Sequence, residues 1–305
     1  MRLFFLSDIH PDFWWKFANH RADYEMSDPP EEVTRKTLDH IWSIGYKYPT
    51  DVDGIIVPGD LGNDWLTCTR TLKWLREKYK KVYFVPGNHD IAVRGGTRSA
   101  SNVQFPGSAQ KLEAYRRFCA ENDIVFLEGD TVDGIGGCMM MCDFSVSPSQ
   151  IRSWLVINWR RKWYDGKTWR YLGNDPFVIM DHYRQLLDKI VESKPRVIVT
   201  HFCPSVLPIA FDDRNCIENA YFYFDASKWL NEIEQDTIWI CGHTHHPKRT
   251  DYLNRNGALI RVMCNPLGYP QDRYSSIICN GMIEGEKEIQ RTFLTIEPER
   301  FIIDV

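Results

Sequence analysis

The chain has 305 residues, of which 43% are hydrophobic, 13% aromatic and 26% charged. This apolar fraction is typical of a globular protein and excludes a largely disordered or fibrous chain. The formal net charge of −4 argues against a protein that holds duplex DNA mainly through its phosphates, although a local basic cleft is compatible with that charge.

The N-terminal segment and the cysteines predict a cytoplasmic protein. The apolar run Leu3–Leu6 is too short for the core of a signal peptide and is typical of a first strand. The sequence has no apolar stretch long enough to span a membrane. Its nine cysteines are an odd number, and several lie inside apolar runs, so we expect buried free thiols in a reducing compartment.

Short apolar runs along the chain predict β-strands, and each run ends in polar residues that can bind a metal. Runs rich in Ile, Val, Phe and Tyr that stop at Gly or Pro are typical of strands. The runs are Leu3–Leu6, Gly54–Val57, Lys81–Val85, Arg196–Val199 and Thr237–Cys241. Because α/β folds place their chemistry at strand ends, these polar residues are candidate site residues.

Helices are predicted between these strands, where apolar residues recur at helical spacing. The predicted helices are Glu31–Ile44, Trp65–Tyr79, Ser108–Asn122 and Met180–Ser193. After residue 257, short apolar runs alternate with turns and predict a β-rich end of the chain. These C-terminal runs are Leu259–Met263, Ser276–Cys279 and Arg291–Ile296.

The candidate site residues extend along most of the chain, so we predict a single domain over residues 1–305. Two stretches depart from the alternation of strands and helices, residues 12–30 and residues 145–176. The second stretch alternates tryptophans with basic residues, including Arg160 and Arg161. These arginines are candidates for binding a substrate phosphate, since guanidinium groups bind phosphate oxygens bidentately. The alternative is that the tryptophans simply pack this stretch onto the core.

The polar residues at the strand ends have the composition of a transition-metal site. They are Asp8, His10, Asp60, Asn88, His89, His201, His243 and His245. Carboxylate with imidazole suits zinc, manganese or iron. In an extended chain, residues i and i+2 project to the same side, so each Asp-x-His or His-x-His pair can bind one shared site. The potential ligands outnumber those of one ion, which favours two divalent ions that share a carboxylate.

The order of these motifs resembles the calcineurin-like metallophosphoesterase superfamily. The order is Asp-x-His, Gly-Asp, Gly-Asn-His-Asp, a single His after a strand, and Gly-His-x-His, over positions 8–245. The segment Asn265–Pro270 also resembles a late element of one subgroup. The resemblance implies an α/β fold, a four-layer α/β/β/α sandwich of two mixed sheets with the metal site at the strand ends.

The resemblance also implies a role for each site residue. One metal ion would be held by Asp8, His10 and His245. The other would be held by Asn88, His201 and His243, with Asp60 bridging the two ions. His89, beside a ligand but not itself one, would protonate the leaving group or steady the phosphoryl oxygens.

The implied function is hydrolysis of a phosphomonoester or phosphodiester that is small or nucleotide-like. Two manganese, iron or zinc ions would activate the attacking hydroxide. Protein phosphatase activity is disfavoured, because the Arg expected after Gly59-Asp60 is missing and Asn63 replaces the Asp that orients the catalytic histidine. Two alternatives stay open. They are a nuclease of the double-strand-repair type, which the acidic balance disfavours, and a non-catalytic scaffold that retains the fold.

Smaller features near the motifs allow further expectations. Cys203 and Cys241 each lie two residues from a metal histidine, and burial in strands is favoured over thiolate ligation. Asp90 can either hydrogen-bond to His89 or cap the turn that follows. His246 is expected to face solvent or to support the metal ligands. The Met-rich run 139–141 is expected to be a buried strand.

Overall fold

The computed structural model describes residues 1–18, 31–44, 49, 51–93, 105–205, 217–269 and 301–305. Two mixed β-sheets lie at its centre, with helices on their outer faces. This architecture confirms the predicted α/β class and the sandwich of two mixed sheets. None of the helices in these ranges is long and apolar enough to cross a membrane.

The first sheet has the strand order β13-β1-β2-β3-β4. Its strands are β1 (Arg2–Phe5), β2 (Gly54–Pro58), β3 (Lys81–Val85), β4 (Val125–Phe126) and β13 (Ile302–Asp304). The first four are parallel, and β13 is antiparallel to β1. The helices beside this sheet are α1 (Pro11–Ala18), α2 (Glu31–Ile44), α3 (Trp65–Lys78) and α4 (Ser108–Glu121). Strand β2 is buried along its whole length, as expected of a parallel strand that is covered on both faces.

The second sheet has the strand order β11-β12-β10-β7-β6-β5. Its strands are β5 (Asp130–Val132), β6 (Ile135–Cys138), β7 (Val197–Thr200), β10 (Thr237–Cys241), β11 (Lys248–Leu253) and β12 (Leu259–Cys264). Strands β8 (Cys203–Pro204) and β9 (Tyr223–Phe224) form a separate pair. The remaining helices are α5 (Arg152–Arg161), α6 (Tyr164–Thr168), α7 (Pro176–Glu192) and α8 (Ser227–Glu232), and α7 packs on β5 and β6.

The predicted elements agree closely with those of the structure, with two differences. Helix α7 begins at Pro176, four residues before the predicted start, because the Asp175 carboxylate accepts the Phe177 N–H and proline is favoured at the first helical position. The Met-rich run is buried but is not a strand, since β6 ends at Cys138 and Met140 has a φ of 62°. The predicted strands after residue 270 and most of the stretch 12–30 lie outside the described residues.

The two sheets meet at the carboxyl ends of their strands. The segment after β12 binds the segment after β1, where the Ser7 N–H donates to the Asn265 carbonyl at 3.0 Å and the Asn265 side chain donates to the Phe5 carbonyl at 2.7 Å. The Asp8 N–H donates to the Gly59 carbonyl at 3.0 Å, which joins the ends of β1 and β2. The loops that carry the predicted ligands are therefore gathered along one edge.

Glu128, next to β4, makes stability depend on pH. Its Oε2 accepts the Met139 N–H at 3.1 Å, whereas its buried Oε1 has no hydrogen-bond partner among the described residues. Burial raises the pKa of Glu128 from 4.5 to about 7. Between these values the folded chain holds a proton that the unfolded chain has lost, so stability falls as the pH rises through this window.

We therefore expect Glu128→Gln to raise the melting temperature more at about pH 8 than at about pH 5, because the amide has no proton to lose. Thermal unfolding of both proteins, followed by circular dichroism at the two pH values, measures this difference. An equal change at both pH values would show that the carboxyl group does not titrate in this window.

Candidate metal centre

The backbone at the predicted ligands adopts a conformation that is uncommon outside glycine. The ligands with positive φ are Asp8 (52°), His10 (41°), Asp60 (59°), His243 (71°) and His245 (52°). Such residues cost on the order of 1–3 kcal/mol each and cluster at functional sites, where the surrounding structure holds them. The expectation of extended i, i+2 pairs is therefore wrong. Asp8 and His10 do share one group, but His243 and His245 fall into different groups.

Two glycines allow the loops to approach closely enough to form the site. Gly59 has a φ of 84°, and a Cβ there would lie 2.5 Å from Nδ1 of His201. A Cβ on Gly87 would overlap with the Asp60 carboxylate. Only glycine fits at these positions without moving the histidine and the carboxylate.

The first ligand group consists of Asp8, His10 and His245, whose ligand atoms lie within 4.8 Å of one another. Nε2 of His245 is 3.4 Å from Oδ1 of Asp8. His10 is fully buried, and neither of its ring nitrogens has a hydrogen-bond partner in the described part of the chain. A buried imidazole nitrogen without a partner is costly, and a bound cation would satisfy it.

The second ligand group consists of His201 and His243, with the Asp60 carboxylate close to both, and the amide of Asn88 joins it. Oδ1 of Asn88 lies 2.8 Å from Nε2 of His201 and 3.1 Å from Nδ1 of His243. Nδ1 of His201 donates to the Pro58 carbonyl at 2.8 Å, so Nε2 is the ring nitrogen that faces Asn88 and would bind a metal.

Asp165 fixes the orientation of the Asn88 amide, and the sequence did not predict this role. Nδ2 of Asn88 donates to Oδ1 of Asp165 at 2.8 Å, so the amide oxygen faces the histidines. The backbone carbonyl of Asn88 accepts a hydrogen bond from the indole N–H of Trp169 at 3.0 Å. Asp165 and Trp169 both belong to the stretch 145–176. This stretch contains none of the candidate ligands, but it holds Asn88 in place.

Asp60 lies between the two groups. Its Oδ2 is 3.5 Å from Nε2 of His10 and 3.4 Å from Nε2 of His201. Burial by itself would raise the pKa of Asp60, but the surrounding histidines, His201 first, hold it well below its usual value. The carboxylate is therefore ionised and faces both groups. This donor set of carboxylate, imidazole and amide fits divalent transition metals on both sides of Asp60.

His89 lies beside this centre and is oriented by Asn63. Nδ1 of His89 is 2.8 Å from Oδ1 of Asn63, and that oxygen also accepts the Tyr164 hydroxyl at 2.7 Å. The Asn63 amide donates to Oδ2 of Asp12 at 2.7 Å, which fixes its oxygen towards His89. Asn63 thus orients the histidine although it replaces the aspartate of the protein phosphatases. The His89 ring stacks on Tyr164 with the centroids 4.3 Å apart.

Neither expectation for Asp90 describes its contacts. Its carboxylate accepts the backbone N–H groups of Gly87, Asp60 and Leu61 at 2.7, 2.8 and 2.9 Å. These bonds tie the loop after β2 to the loop after β3. Asp90 therefore holds together the backbones of Asp60 and Gly87 and makes no hydrogen bond to the His89 ring in the described structure.

A cavity of about 330 Å³ opens above the metal ligands. Its aromatic walls are Trp163, Tyr164, Phe222 and Tyr269, and its other lining residues are Asp60, Asn88, His89, His243, Thr244, His245 and His246. His246 is exposed, as expected of a residue that faces solvent. No lysine or arginine belongs to the part of this lining that the structure describes.

The stretch 145–176 contributes aromatic residues to the cavity rather than the predicted arginines. Trp163 and Tyr164 line the cavity, while Trp159 and Trp169 are buried in the core. Arg160 pairs with Asp175 at 3.0 Å, and its side chain is 45% exposed. Arg161 is exposed, and neither arginine is among the described lining residues. Their role in substrate binding stays a prediction.

A sequence model of the calcineurin-like phosphoesterases matches residues 1–247. Together with the paired His/Asp groups, this match defines the class of enzyme, the metal-dependent phosphoric ester hydrolases. The chain therefore belongs to the calcineurin-like phosphoesterase family, as its motifs predicted.

The fold is also that of a solved structure of the same class. The chain is similar to the crystal structure of phosphopantetheinyl hydrolase (PptH) from Mycobacterium tuberculosis, with a TM-score of 0.58 over 90% of this chain and 91% of that chain. The two sequences are 16% identical, so the likeness shows the fold alone. No curated protein matches the sequence.

Proposed function

We propose that the chain hydrolyses a small phosphoester with two divalent cations, bound on either side of Asp60. The observation that carries this proposal is the position of Oδ2 of Asp60, 3.5 Å from a histidine of one ligand group and 3.4 Å from a histidine of the other. A carboxylate that faces two separate ligand groups is suited to bridge two ions.

The ligand sets follow from the two groups. Asp8, His10 and His245 would hold one cation, and Asn88, His201 and His243 the other. Manganese, iron and zinc all suit these donors. When bound, the cations lower the pKa of a water molecule and neutralise charge on the phosphoryl oxygens.

His89 is the residue we propose to act on the leaving group. It lines the cavity, and its Nε2 lies 4.0 Å from Oδ2 of Asp60. Oδ1 of Asn63 accepts a hydrogen bond from the Nδ1–H of His89. Nε2 therefore faces the cavity and the Tyr269 hydroxyl, which is 3.3 Å away. From this position His89 can hydrogen-bond to a phosphoryl oxygen or pass a proton to the leaving oxygen.

The walls of the cavity favour a substrate whose organic part is apolar or aromatic. Trp163, Tyr164 and Phe222 offer stacking and apolar contact, whereas the phosphoryl group would meet the cations on the floor. Nucleotides combine phosphate with an aromatic base and fit this description. Phosphopantetheinyl esters, whose organic part is an aliphatic amide chain, are a second class, because a protein of the same fold is a phosphopantetheinyl hydrolase.

The direct test is hydrolysis by the manganese-loaded protein. Bis-p-nitrophenyl phosphate and p-nitrophenyl phosphate report diesterase and monoesterase activity, and a panel of phosphomonoesters, cyclic nucleotides, dinucleotides and phosphopantetheinyl esters seeks the substrate. We expect metal-dependent hydrolysis of a small ester without nicking of plasmid DNA. Efficient nicking would favour the nuclease alternative. Absence of hydrolysis of any ester by fully loaded protein would favour the scaffold alternative.

Trp163→Ala, compared with Arg160→Ala and Arg161→Ala, tests which residues of the stretch 145–176 bind substrate. Stacking of a base on an aromatic ring contributes about 1–3 kcal/mol, so Trp163→Ala should raise KM for a nucleotide substrate about tenfold while kcat changes little. Steady-state kinetics with the best ester of the panel measures this.

The arginine variants separate binding from packing. A higher KM in either arginine variant would support the predicted phosphate contact. Unchanged kinetics, with a lower melting temperature for Arg160→Ala after loss of its pair with Asp175, would remove that arginine from the site. An unchanged KM in Trp163→Ala would contradict the role proposed for the aromatic wall.

A further inference from the structure

Three cysteines come together beside the loops that carry His201 and His243, although they lie far apart in the sequence. Cys203 belongs to β8, Cys241 ends β10, and Cys264 ends β12 as the register partner of Cys241. All three are fully buried and free of disulfides. The fold thus places three thiols at the carboxyl edge of the second sheet.

The sulfur atoms are close enough to share one ion. All three Sγ atoms lie within 4.8 Å of one another, and those of Cys203 and Cys241 are 3.3 Å apart. Zinc–sulfur bonds of about 2.3 Å in a tetrahedral site place the sulfurs roughly 3.8 Å apart. The 3.3 Å between Cys203 and Cys241 is somewhat shorter than that value, so binding an ion would move these two sulfur atoms slightly apart.

Thr244 supplies an oxygen at the fourth corner. Its Oγ1 is 3.9 Å from Sγ of Cys203 and 3.8 Å from Sγ of Cys264. A tetrahedral ion with three sulfur ligands and one oxygen ligand requires sulfur–oxygen edges of about 3.6 Å. Thr244 is half-buried and lines the catalytic cavity, which gives an ion a path to the thiols.

The charge near the cluster also suits a thiolate site. Binding a divalent ion releases three thiol protons and leaves a net charge of about −1. Lys248 is the register partner of Cys264, and its ammonium group donates to the Tyr223 hydroxyl at 2.8 Å. Tyr223 is in turn the register partner of Cys203. A cation therefore lies beside the cluster.

We propose that Cys203, Cys241 and Cys264 form a binding site for one thiophilic divalent ion of the zinc class, with the Thr244 hydroxyl or a water molecule as the fourth ligand. This site is separate from the His/Asp groups and contains none of their ligands. It ties β8 to the ends of β10 and β12, and so holds the two loops that carry His201 and His243.

Cobalt(II) is the probe, because it replaces zinc and absorbs strongly in the near ultraviolet only when thiolates bind it. The His/Asp groups contain no thiolate, so cobalt bound there does not give this band. We expect the band in the wild-type protein and its loss in Cys264→Ser, with one bound cobalt fewer per chain. Cys119→Ser is the matched control, since Cys119 is also buried and free but lies on α4. That variant should keep the band.

A measurement on the wild-type protein tests the proposal even if Cys264→Ser does not fold. X-ray absorption of the zinc-loaded wild-type protein should show sulfur neighbours at about 2.3 Å. Nitrogen and oxygen neighbours alone would overturn the proposal. So would a cobalt band that persists unchanged in Cys264→Ser, or a Cys203–Cys241 disulfide, found by peptide mapping of freshly purified protein, that leaves no thiolate band.

Discussion

Asp60→Ala is expected to abolish phosphoester hydrolysis and to reduce the metal bound by the His/Asp groups from two ions per chain to one or fewer. Asp60 is the only carboxylate among the described residues that faces both ligand groups, and its removal leaves buried histidines with no anion between them. Without the bridge, the two cations would also repel each other across a short distance.

Elemental analysis of manganese-loaded protein, freed of excess metal, measures this loss together with activity on bis-p-nitrophenyl phosphate. Cys264→Ser provides a background in which the proposed thiolate site adds no metal to the count. Asp181→Ala is a suitable control, since it removes an exposed carboxylate of α7 that accepts the Gln185 side chain away from the cavity. It should keep both ions. A metal content that Asp60→Ala leaves unchanged would refute the bridging role.

The second large effect is expected from His89→Asn. General acid–base help is worth roughly 10²–10⁴-fold, so turnover of an ester with a poor leaving group should fall by that factor while both ions stay bound. The loss should be smaller for p-nitrophenyl phosphate, whose leaving group needs little protonation. Kinetics on both substrates, with metal analysis of the same samples, checks this.

The electrostatics of His89 sharpen this prediction. Burial lowers the pKa of His89 to about 3, so the ring is neutral in the protein alone. A phosphoryl anion beside Nε2 favours the charged ring and raises that pKa, which would let His89 carry a proton only when substrate is bound. The kcat of the wild-type protein should therefore fall at high pH, and this limb should be absent in His89→Asn.

His89 could alternatively be a metal ligand, and the metal analysis of His89→Asn distinguishes this role from that of a proton donor. Its ring nitrogen lies within 4.8 Å of ligand atoms of His10 and Asp60, which is close enough for it to be a ligand. If metal content falls in parallel with activity, His89 is a ligand rather than a proton donor. His182→Asn serves as the control, because His182 bonds to Tyr171 away from the cavity.

The strands and the candidate metal-binding residues could be located from sequence because both leave local signals. An apolar run that stops at Gly or Pro indicates a strand within a few residues, and each ligand directly follows such a run. The order of the motifs then indicated the family. These signals did not predict the backbone conformation of the candidate ligands. Asp8, Asp60 and His243 have positive φ, and contacts between loops hold such a conformation in place.

The residues that support the ligands were missed because they reach the site from distant parts of the chain. Asp165 lies 77 residues from Asn88, and Tyr164 lies 101 residues from Asn63. Tyr269 meets His89 across 180 residues. No short-range pattern marks such partners. The alternation of Trp and Arg drew attention to the stretch 145–176, but it is Trp163 and Tyr164, and neither Arg160 nor Arg161, that belong to the described lining of the cavity.

The measurement that tests the dinuclear centre most directly is anomalous X-ray diffraction from crystals of the manganese-loaded protein. We predict two anomalous peaks about 3.5–4 Å apart, one beside Asp8, His10 and His245 and one beside Asn88, His201 and His243, with Asp60 between them. A single peak at full manganese saturation, or two peaks that do not share Asp60, would contradict a dinuclear centre bridged by this carboxylate.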